Sequence, residues 1–183
     1  MRLRPLTCLM LQVIGLALIL LLRTIAPADL DPALTLTSSA FENGALIPER
    51  YTCSGDNKSP ALKWTGVPPT ARSLALILDD PDAPMGTFVH WVVYNLSPTV
   101  KGLPEGVSAS ASVEDGEQGV NGRGAIGYTG ACPPPGKPHH YQFRLYALNQ
   151  KLELKPGATA QQVEAAMKGH VLGSAELVGI FGR

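Results

Sequence analysis

The run Ser73-Leu-Ala-Leu-Ile-Leu-Asp79 leads without a break into Asp80-Pro-Asp-Ala-Pro84. A continuous apolar run that is too short for a helix between its flanking turn residues predicts a strand covered on both faces, and hence central in a sheet. Proline fixes φ in the turn that follows, so Asp80 and Asp82 are held at the end of this strand. Aspartates in such turns often only hydrogen-bond their own backbone, and a binding role is the alternative.

Two further segments have the composition of core strands. Residues 89–96 and 140–148 are rich in the β-branched and aromatic side chains that strands prefer. Strict alternation along residues 89–96 places His90 on the same face as Val92, Tyr94 and Leu96. A lone histidine on that face is more often a satisfied core residue than a functional one. Together with residues 73–79, these segments are predicted to form the core.

The remaining segments complete a mainly β fold. Residues 34–38 alternate apolar and polar side chains as a half-buried strand does, and residues 177–181 are predicted as a final strand.

Thr159 and Gln162 form a capping box that begins one helix. The apolar face of this helix carries Val163, Ala166, Met167 and His170. Residues 46–63 and 105–138 are rich in turn-forming residues and are predicted as loops, of which the second is long enough to be functional or mobile.

The first 28 residues have the pattern of an export signal. Arg2 and Arg4 precede an almost wholly apolar segment, residues 5–22, and Ala26-Pro-Ala28 supplies the small residues that a signal peptidase needs for cleavage after Ala28. The alternative is that residues 5–22 remain as an anchor in the inner membrane, with both arginines in the cytoplasm. Either way, residues 29–183 are predicted to form a single domain in the periplasm.

The charge balance argues against a nucleic-acid partner. The chain has 15 basic and 15 acidic side chains, and three arginines but no acid lie in residues 1–28. Residues 29–183 therefore carry 12 basic and 15 acidic side chains, a net charge of −3. A mildly acidic domain without clusters of lysine and arginine lacks the positive surface that contacts the phosphates of DNA or RNA.

Cys53 and Cys132 are the two cysteines outside the first 28 residues. In an oxidising compartment an even pair predicts a disulfide, and two buried free thiols are the alternative. Such a bridge would close a long loop and would be a major structural support.

Residues 127–141, Gly-Tyr-Thr-Gly-Ala-Cys-Pro-Pro-Pro-Gly-Lys-Pro-His-His-Tyr, form a second polar segment. Glycine lets backbone N–H groups approach a ligand closely and proline fixes the path of a loop, which is how an anion-binding nest is built. Polar residues at the ends of apolar strands tend to meet at one rim of a sheet, where ligand pockets form. We expect this segment, the Asp80 turn and His90 to converge there.

Three motifs in this order resemble the phosphatidylethanolamine-binding protein family, most closely its bacterial Raf-kinase-inhibitor-like branch. They are Asp80-Pro-Asp-Ala-Pro84, His90-Trp-Val-Val-Tyr-Asn-Leu96 and the segment from Gly127-Tyr to His139-His-Tyr141. The similarity covers about residues 34–183. It implies a large antiparallel β-sheet packed on a smaller one, with short peripheral helices and one ligand pocket at the sheet rim.

The resemblance also implies a set of ligand-binding residues. They are Asp80, Asp82, His90, Gly130, Ala131, His139 and Tyr141. Backbone N–H groups near Gly130 and Ala131, with His90 and His139 as donors, would bind phosphate oxygens. The two aspartates would attract an ammonium group or orient a histidine.

Three residues depart from the family pattern. Ala131 stands where many relatives have proline, Arg123 where an aromatic residue is common, and His140 where arginine is usual. Arg123 either favours a more anionic ligand or is a solvated loop residue. These departures leave the core of the pocket in place and bear on which ligand it prefers.

The predicted function is the non-catalytic binding of phospholipid head groups or other small anionic or phosphorylated ligands, with no cofactor. A hydrolase is one alternative, but no serine or cysteine lies in a G-x-S-x-G context. A metal site made of His90, His139 and the aspartates lacks the H-x-x-E-H or H-E-x-x-H spacing. The other alternative is an inhibitor or regulator of a periplasmic protease or another protein partner.

Overall fold

The apolar run at residues 73–79 forms the middle of the larger sheet. In the computed structural model, which describes residues 33–113 and 115–183, this run is strand β4 (Ser73–Asp80). Each of its eight residues is buried, as expected for a strand covered on both faces. The prediction of a central strand is confirmed, because β4 has a hydrogen-bonded neighbour on either side.

The described residues form ten strands, one α-helix (α1) and one 3-10 turn. The strands are β1 (Thr35–Ser38), β2 (Ala45–Leu46), β3 (Leu62–Thr65), β4, β5 (Phe88–Leu96), β6 (Gly102–Leu103), β7 (Ser112–Val113), β8 (Gly116–Gln118), β9 (His139–Leu148) and β10 (Val171–Phe181). The helix is α1 (Ala160–Met167), and the 3-10 turn is Glu49–Tyr51. The predicted loops at 46–63 and 105–138 thus contain short elements of their own, including β7 and β8.

These strands form two sheets. The larger sheet has the order β2-β10-β9-β4-β5-β8-β7, and all its pairings are antiparallel except that of β2 with β10. The smaller sheet has the order β1-β3-β6 and is antiparallel. The predicted fold class, a large antiparallel sheet packed on a smaller one with little helix, is confirmed.

Alternation along β4 supplies both cores of the domain. Leu74, Leu76 and Leu78 belong to the cluster that joins the two sheets, which includes Trp64 of the small sheet. Ala75 and Ile77 point to the opposite face and pack in the cluster that includes the helix. A side-chain period of two therefore places alternate residues of one buried strand in different cores.

Helix α1 begins at the predicted capping box. Thr159 accepts a hydrogen bond from the backbone N–H of Gln162, and the Gln162 side chain accepts one from the backbone N–H of Thr159. Val163 and Met167 are buried as predicted. The placement of His170 on the helix is wrong, because α1 ends at Met167 and the His170 ring lies near the Asn149 side chain.

The described residues contain no helix long and apolar enough to cross a bilayer. The predicted export signal or anchor, residues 1–28, lies outside the described residues and stays a prediction.

Cys53 and Cys132 are joined by a disulfide, as predicted, with their Cα atoms 5.4 Å apart. The bridge links the segment after the 3-10 turn to the Gly/Pro-rich segment before β9. The same two segments are also joined by a backbone hydrogen bond from Cys53 N–H to the Ala131 carbonyl oxygen, at 3.1 Å.

Replacing both cysteines, as Cys53→Ala with Cys132→Ala, should lower the free energy of unfolding by roughly 4 kcal/mol, because the bridge closes a loop of 79 residues and restricts the unfolded chain. Urea unfolding of the oxidised wild-type domain and of the double variant measures the difference. A reductant should lower the midpoint of the wild type alone. Equal midpoints for oxidised wild type and variant would show that the bridge contributes no stability.

Candidate functional site

A cavity of about 310 Å³ opens at one end of the large sheet, where β4 ends and where β5 and β9 begin. Its polar lining residues are Asp80, His90, Arg123 and His139. Its other lining residues are Ala83, Pro84, Met85, Gly86, Phe88, Cys132, Pro133 and Pro134. A mostly apolar hollow with a few converging polar groups is the usual form of a small-molecule site.

Asp80 and His139 form a buried pair on the floor of this cavity. His139 Nδ1 lies 2.7 Å from Asp80 Oδ2, and the backbone N–H of Asp82 donates to Asp80 Oδ1 at 2.9 Å. Since a carboxylate only accepts hydrogen bonds, Nδ1 carries a proton. Nε2 makes none of the hydrogen bonds found among the described residues, so it is the ring nitrogen left for a ligand.

A β-bulge aims His90 at the same cavity. Opposite β4, Trp91 pairs with Leu78 and Val89 pairs with Asp79, so His90 is an extra residue in β5. The bulge breaks the alternation along β5, as bulges beside functional sites commonly do. The prediction that His90 shares the face of Val92 and Tyr94 is therefore wrong, because those two residues pack in the cluster with α1.

The His90 ring is fixed by three neighbours. Its Nδ1 lies 2.8 Å from the Thr129 carbonyl oxygen, so Nδ1 donates there. The ring makes edge contacts with Phe88 and Tyr141, with centroid distances of 4.8 and 5.2 Å. Burial lowers the pKa of His90, and the hydrogen bond to Thr129 and the nearby Asp80 carboxylate only partly oppose this. Nε2 is then an acceptor when the ring is neutral and a donor when it is protonated.

Tyr141 stands behind His90 rather than in the cavity wall. It is 1% exposed, its ring contacts that of His90, and it is not one of the lining residues. Its hydroxyl is buried and meets no hydrogen-bond partner among the described residues. Burial, together with the charge of Asp80, raises the pKa of Tyr141 well above its usual value. Tyr141 therefore serves here as a neutral support for the His90 ring.

Asp82 does not join the other predicted site residues. Its Oδ2 accepts a hydrogen bond from the His140 backbone N–H at 2.8 Å and lies 2.7 Å from His140 Nδ1. These hydrogen bonds lower the pKa of Asp82. The expectation that Asp82 faces the cavity is wrong because it pairs with His140, whose side chain alternates away from that of His139 along β9.

The expected backbone contacts from Gly130 and Ala131 are also not found in the cavity wall. The Gly130 N–H donates to Asn57 Oδ1 at 2.7 Å, so it is not available to an anion. A Cβ at residue 130 would lie 2.8 Å from the Tyr51 carbonyl oxygen and from Thr52 Cα, which explains why glycine is needed. Ala131 is buried in the core between the sheets. Both residues pack the segment against residues 51–57 instead of lining the cavity.

Arg123 lines the cavity, although the sequence left it between two interpretations. Its Nε donates to Thr129 Oγ1 at 3.2 Å, and Thr129 also supplies the carbonyl that holds His90. Phe88, which lies two residues before His90, was not selected from the sequence. Its position directly before the predicted strand of residues 89–96 was the available signal.

Within residues 33–113 and 115–183, no three His, Cys, Asp or Glu side chains are grouped so that they could hold a metal ion. The polar groups of the cavity are those just described, and their chemistry is that of hydrogen-bond donors and acceptors. Two imidazole Nε2 atoms and one guanidinium can meet a negatively charged ligand there.

Comparison with known proteins assigns the fold to a family. The family model for phosphatidylethanolamine-binding proteins matches residues 37–182. The chain belongs to the phosphatidylethanolamine-binding protein family. A UPF0098 protein of Methanothermobacter thermautotrophicus is 51% identical over 151 residues, which are 82% of this chain and 99% of the relative. That relative's name states no function.

Two solved members of the phosphatidylethanolamine-binding protein family have the same fold. A Chlamydia trachomatis protein described as a putative homologue is 43% identical, with a TM-score of 0.76 over 82% of this chain and 98% of its own. E. coli YBCL, described as a new member of the mammalian family, is 32% identical, with a TM-score of 0.77 over 83% of this chain and 99% of its own. All the residues that line the cavity lie within the range matched by the family model.

The lowered pKa of His90 predicts how this family member responds to acid. In the free protein, the His90 ring should titrate below about 6.5, the value of an unperturbed histidine, and should carry its proton on Nδ1 when neutral. Stability linked to His90 is then complete above about pH 6.5 and is lost as the pH falls through the folded-state pKa. Nitrogen-15 NMR of the imidazole rings measures both properties. A His90 ring that is protonated at neutral pH would contradict this description.

Proposed function

We propose that the cavity binds small ligands that carry a phosphate or similar anionic group, phospholipid head groups among them, without acting on them chemically. One observation carries the proposal: the buried His90 and His139 are held through Nδ1, which leaves both Nε2 atoms for one cavity that Arg123 also lines. Charge-assisted hydrogen bonds of this kind are the strong ones in anion recognition.

The two histidines have different roles because their partners differ. Asp80 fixes the tautomer of His139 by accepting a hydrogen bond from Nδ1, which leaves Nε2 of that ring for a ligand. His90 has a neutral carbonyl oxygen as its partner and is more easily kept uncharged. An anion that enters the cavity would raise the pKa of His90, so binding should be accompanied by proton uptake and should strengthen as the pH falls.

Asp80 and Asp82 are less available to an ammonium group than the sequence predicted. Asp80 already accepts hydrogen bonds at both oxygens, and Asp82 is paired with His140. This supports a role for Asp80 in orienting a histidine. Asp80 is the one acidic side chain among the described lining residues, so it alone would attract a positively charged part of a zwitterionic ligand.

The lining residues also support binding in preference to catalysis. The described cavity wall contains no serine, threonine, lysine or tyrosine, and the sulfur of Cys132 is in the disulfide. Covalent catalysis uses an activated nucleophile, and the Asp80 carboxylate in this wall already accepts hydrogen bonds at both oxygens. The apolar residues around the histidines are suited to hold the uncharged part of a ligand.

The proposal includes action outside the inner membrane. The predicted export signal motivates this location, and the Cys53–Cys132 bridge is in keeping with an oxidising compartment. Whether residues 5–22 are cleaved off or remain as an anchor, the domain would meet its ligand in the periplasm.

Removing either cavity histidine should weaken anion binding roughly tenfold to a hundredfold, because a hydrogen bond to a charged group is worth about 1.5 to 3 kcal/mol. Calorimetry at pH 6 with O-phosphoethanolamine would compare wild type, His90→Ala and His139→Ala. His170→Ala is the matched control, since His170 lies outside the cavity beside Asn149. Failure of the wild type to bind, or equal affinities in all four proteins, would refute the proposed site.

A further inference from the structure

Arg123 is presented to the cavity by a loop with a defined shape. The side chain of Asn121 is buried, and its Oδ1 accepts hydrogen bonds from the backbone N–H groups of Arg123 at 2.9 Å and Ala125 at 3.3 Å. Its Nδ2 donates to the Gly127 carbonyl oxygen at 2.9 Å. One buried amide therefore holds three points of the loop, and the backbone at Arg123 is positioned by them.

The side chain of Arg123 is also held in place by its neighbours. Its Nε donates to Thr129 Oγ1. The neighbouring Gly122 packs so closely on Phe88 that a Cβ there would lie 2.7 Å from the ring, which seats the loop against the cavity wall. No ion pair among the described residues involves Arg123. Its two terminal nitrogens and its full charge are thus available to a ligand.

The charged groups that line the cavity distinguish phosphate monoesters from phosphate diesters. Asp80 is occupied by His139, and Arg123 is the one described lining residue with a permanent positive charge. A guanidinium presents a planar fork that can bind two phosphate oxygens at once. With the Nε2 atoms of His90 and His139, the cavity therefore has a binding group for each of the three terminal oxygens of a phosphate monoester, whereas a diester has only two such oxygens.

The protonation states of His90 and of the ligand also favour a phosphate monoester. A neutral His90 presents a lone pair at Nε2, and a monoester in its singly protonated form can donate a P–OH proton to it. A diester has no such proton and would require one from solvent. Monoesters have a second pKa near 6, so both protonation forms are accessible near neutral pH.

We propose that Arg123 sets the ligand class of this site, so that the protein prefers phosphate monoesters to phosphate diesters. This inference rests on the proposed anion site and deepens it. It implies that a soluble phosphate monoester fits the cavity better than the diester head group of an intact phospholipid.

A matched pair of ligands tests this preference: O-phosphoethanolamine, a monoester, and sn-glycero-3-phosphoethanolamine, a diester with the same ethanolamine. By calorimetry at pH 6, where both protonation forms of the monoester are present, wild type should bind the monoester at least roughly tenfold more tightly. Arg123→Gln should reduce this preference to within about twofold, mainly by weakening monoester binding. The control Arg72→Gln removes an exposed arginine outside the cavity and should keep the wild-type preference.

The outcomes separate this inference from the proposed function. If wild type binds neither ligand, the anion site itself is refuted and the inference with it. If wild type binds both ligands equally, or if Arg123→Gln keeps the wild-type preference or loses both ligands to the same extent, Arg123 does not set the ligand class, while the anion site stands.

Discussion

One extra residue in strand β5 determines what the cavity contains. Without the bulge opposite β4, His90 would alternate with Trp91 and point with Val92 towards the helix. With the bulge, the His90 ring lies against Tyr141 and lines the same hollow as Asp80 and His139. Asp80 and His139 need no bulge, because each already lies on the cavity face of its own strand.

The two cavity histidines are held in different ways, and this difference carries the chemistry. His139 is bound to a buried carboxylate, whereas His90 is bound to a carbonyl oxygen and burial lowers the pKa of its ring. Nδ1 is occupied in both rings, which leaves Nε2 of each ring for a ligand. Arg123 adds a charge that does not depend on pH.

The disulfide and the glycine at residue 130 shape the same wall of the cavity, which Cys132 lines and Gly130 does not. Gly130 allows the segment before β9 to lie directly on residues 51–57, and Cys132 is covalently joined to Cys53. Pro133 and Pro134, which follow immediately, form part of the cavity lining. The features that resemble an anion nest in the sequence are thus mainly packing features that position the cavity wall.

Sequence patterns predicted the elements whose determinants are local. The continuous apolar run at β4, the capping box of Thr159 and Gln162, and the convergence of Asp80, His90 and His139 were all accessible, the last through polar residues at strand ends and through family resemblance. Three other features could not be predicted from the sequence. A bulge depends on pairing with a distant strand, so alternation alone gave His90 the wrong face. Asp82 and the N–H of Gly130 found partners in His140 and Asn57, far away in sequence, and no local signal shows this.

Binding of one anion by His90 and His139 together can be followed directly through the four histidine rings of the chain. Inorganic phosphate would be titrated into nitrogen-15-labelled protein while the imidazole signals of His90, His139, His140 and His170 are followed. The signals of His90 and His139 should shift together along one saturation curve, while those of His140 and His170 should stay in place. A shift confined to one cavity histidine, or no saturable shift at either, would contradict it.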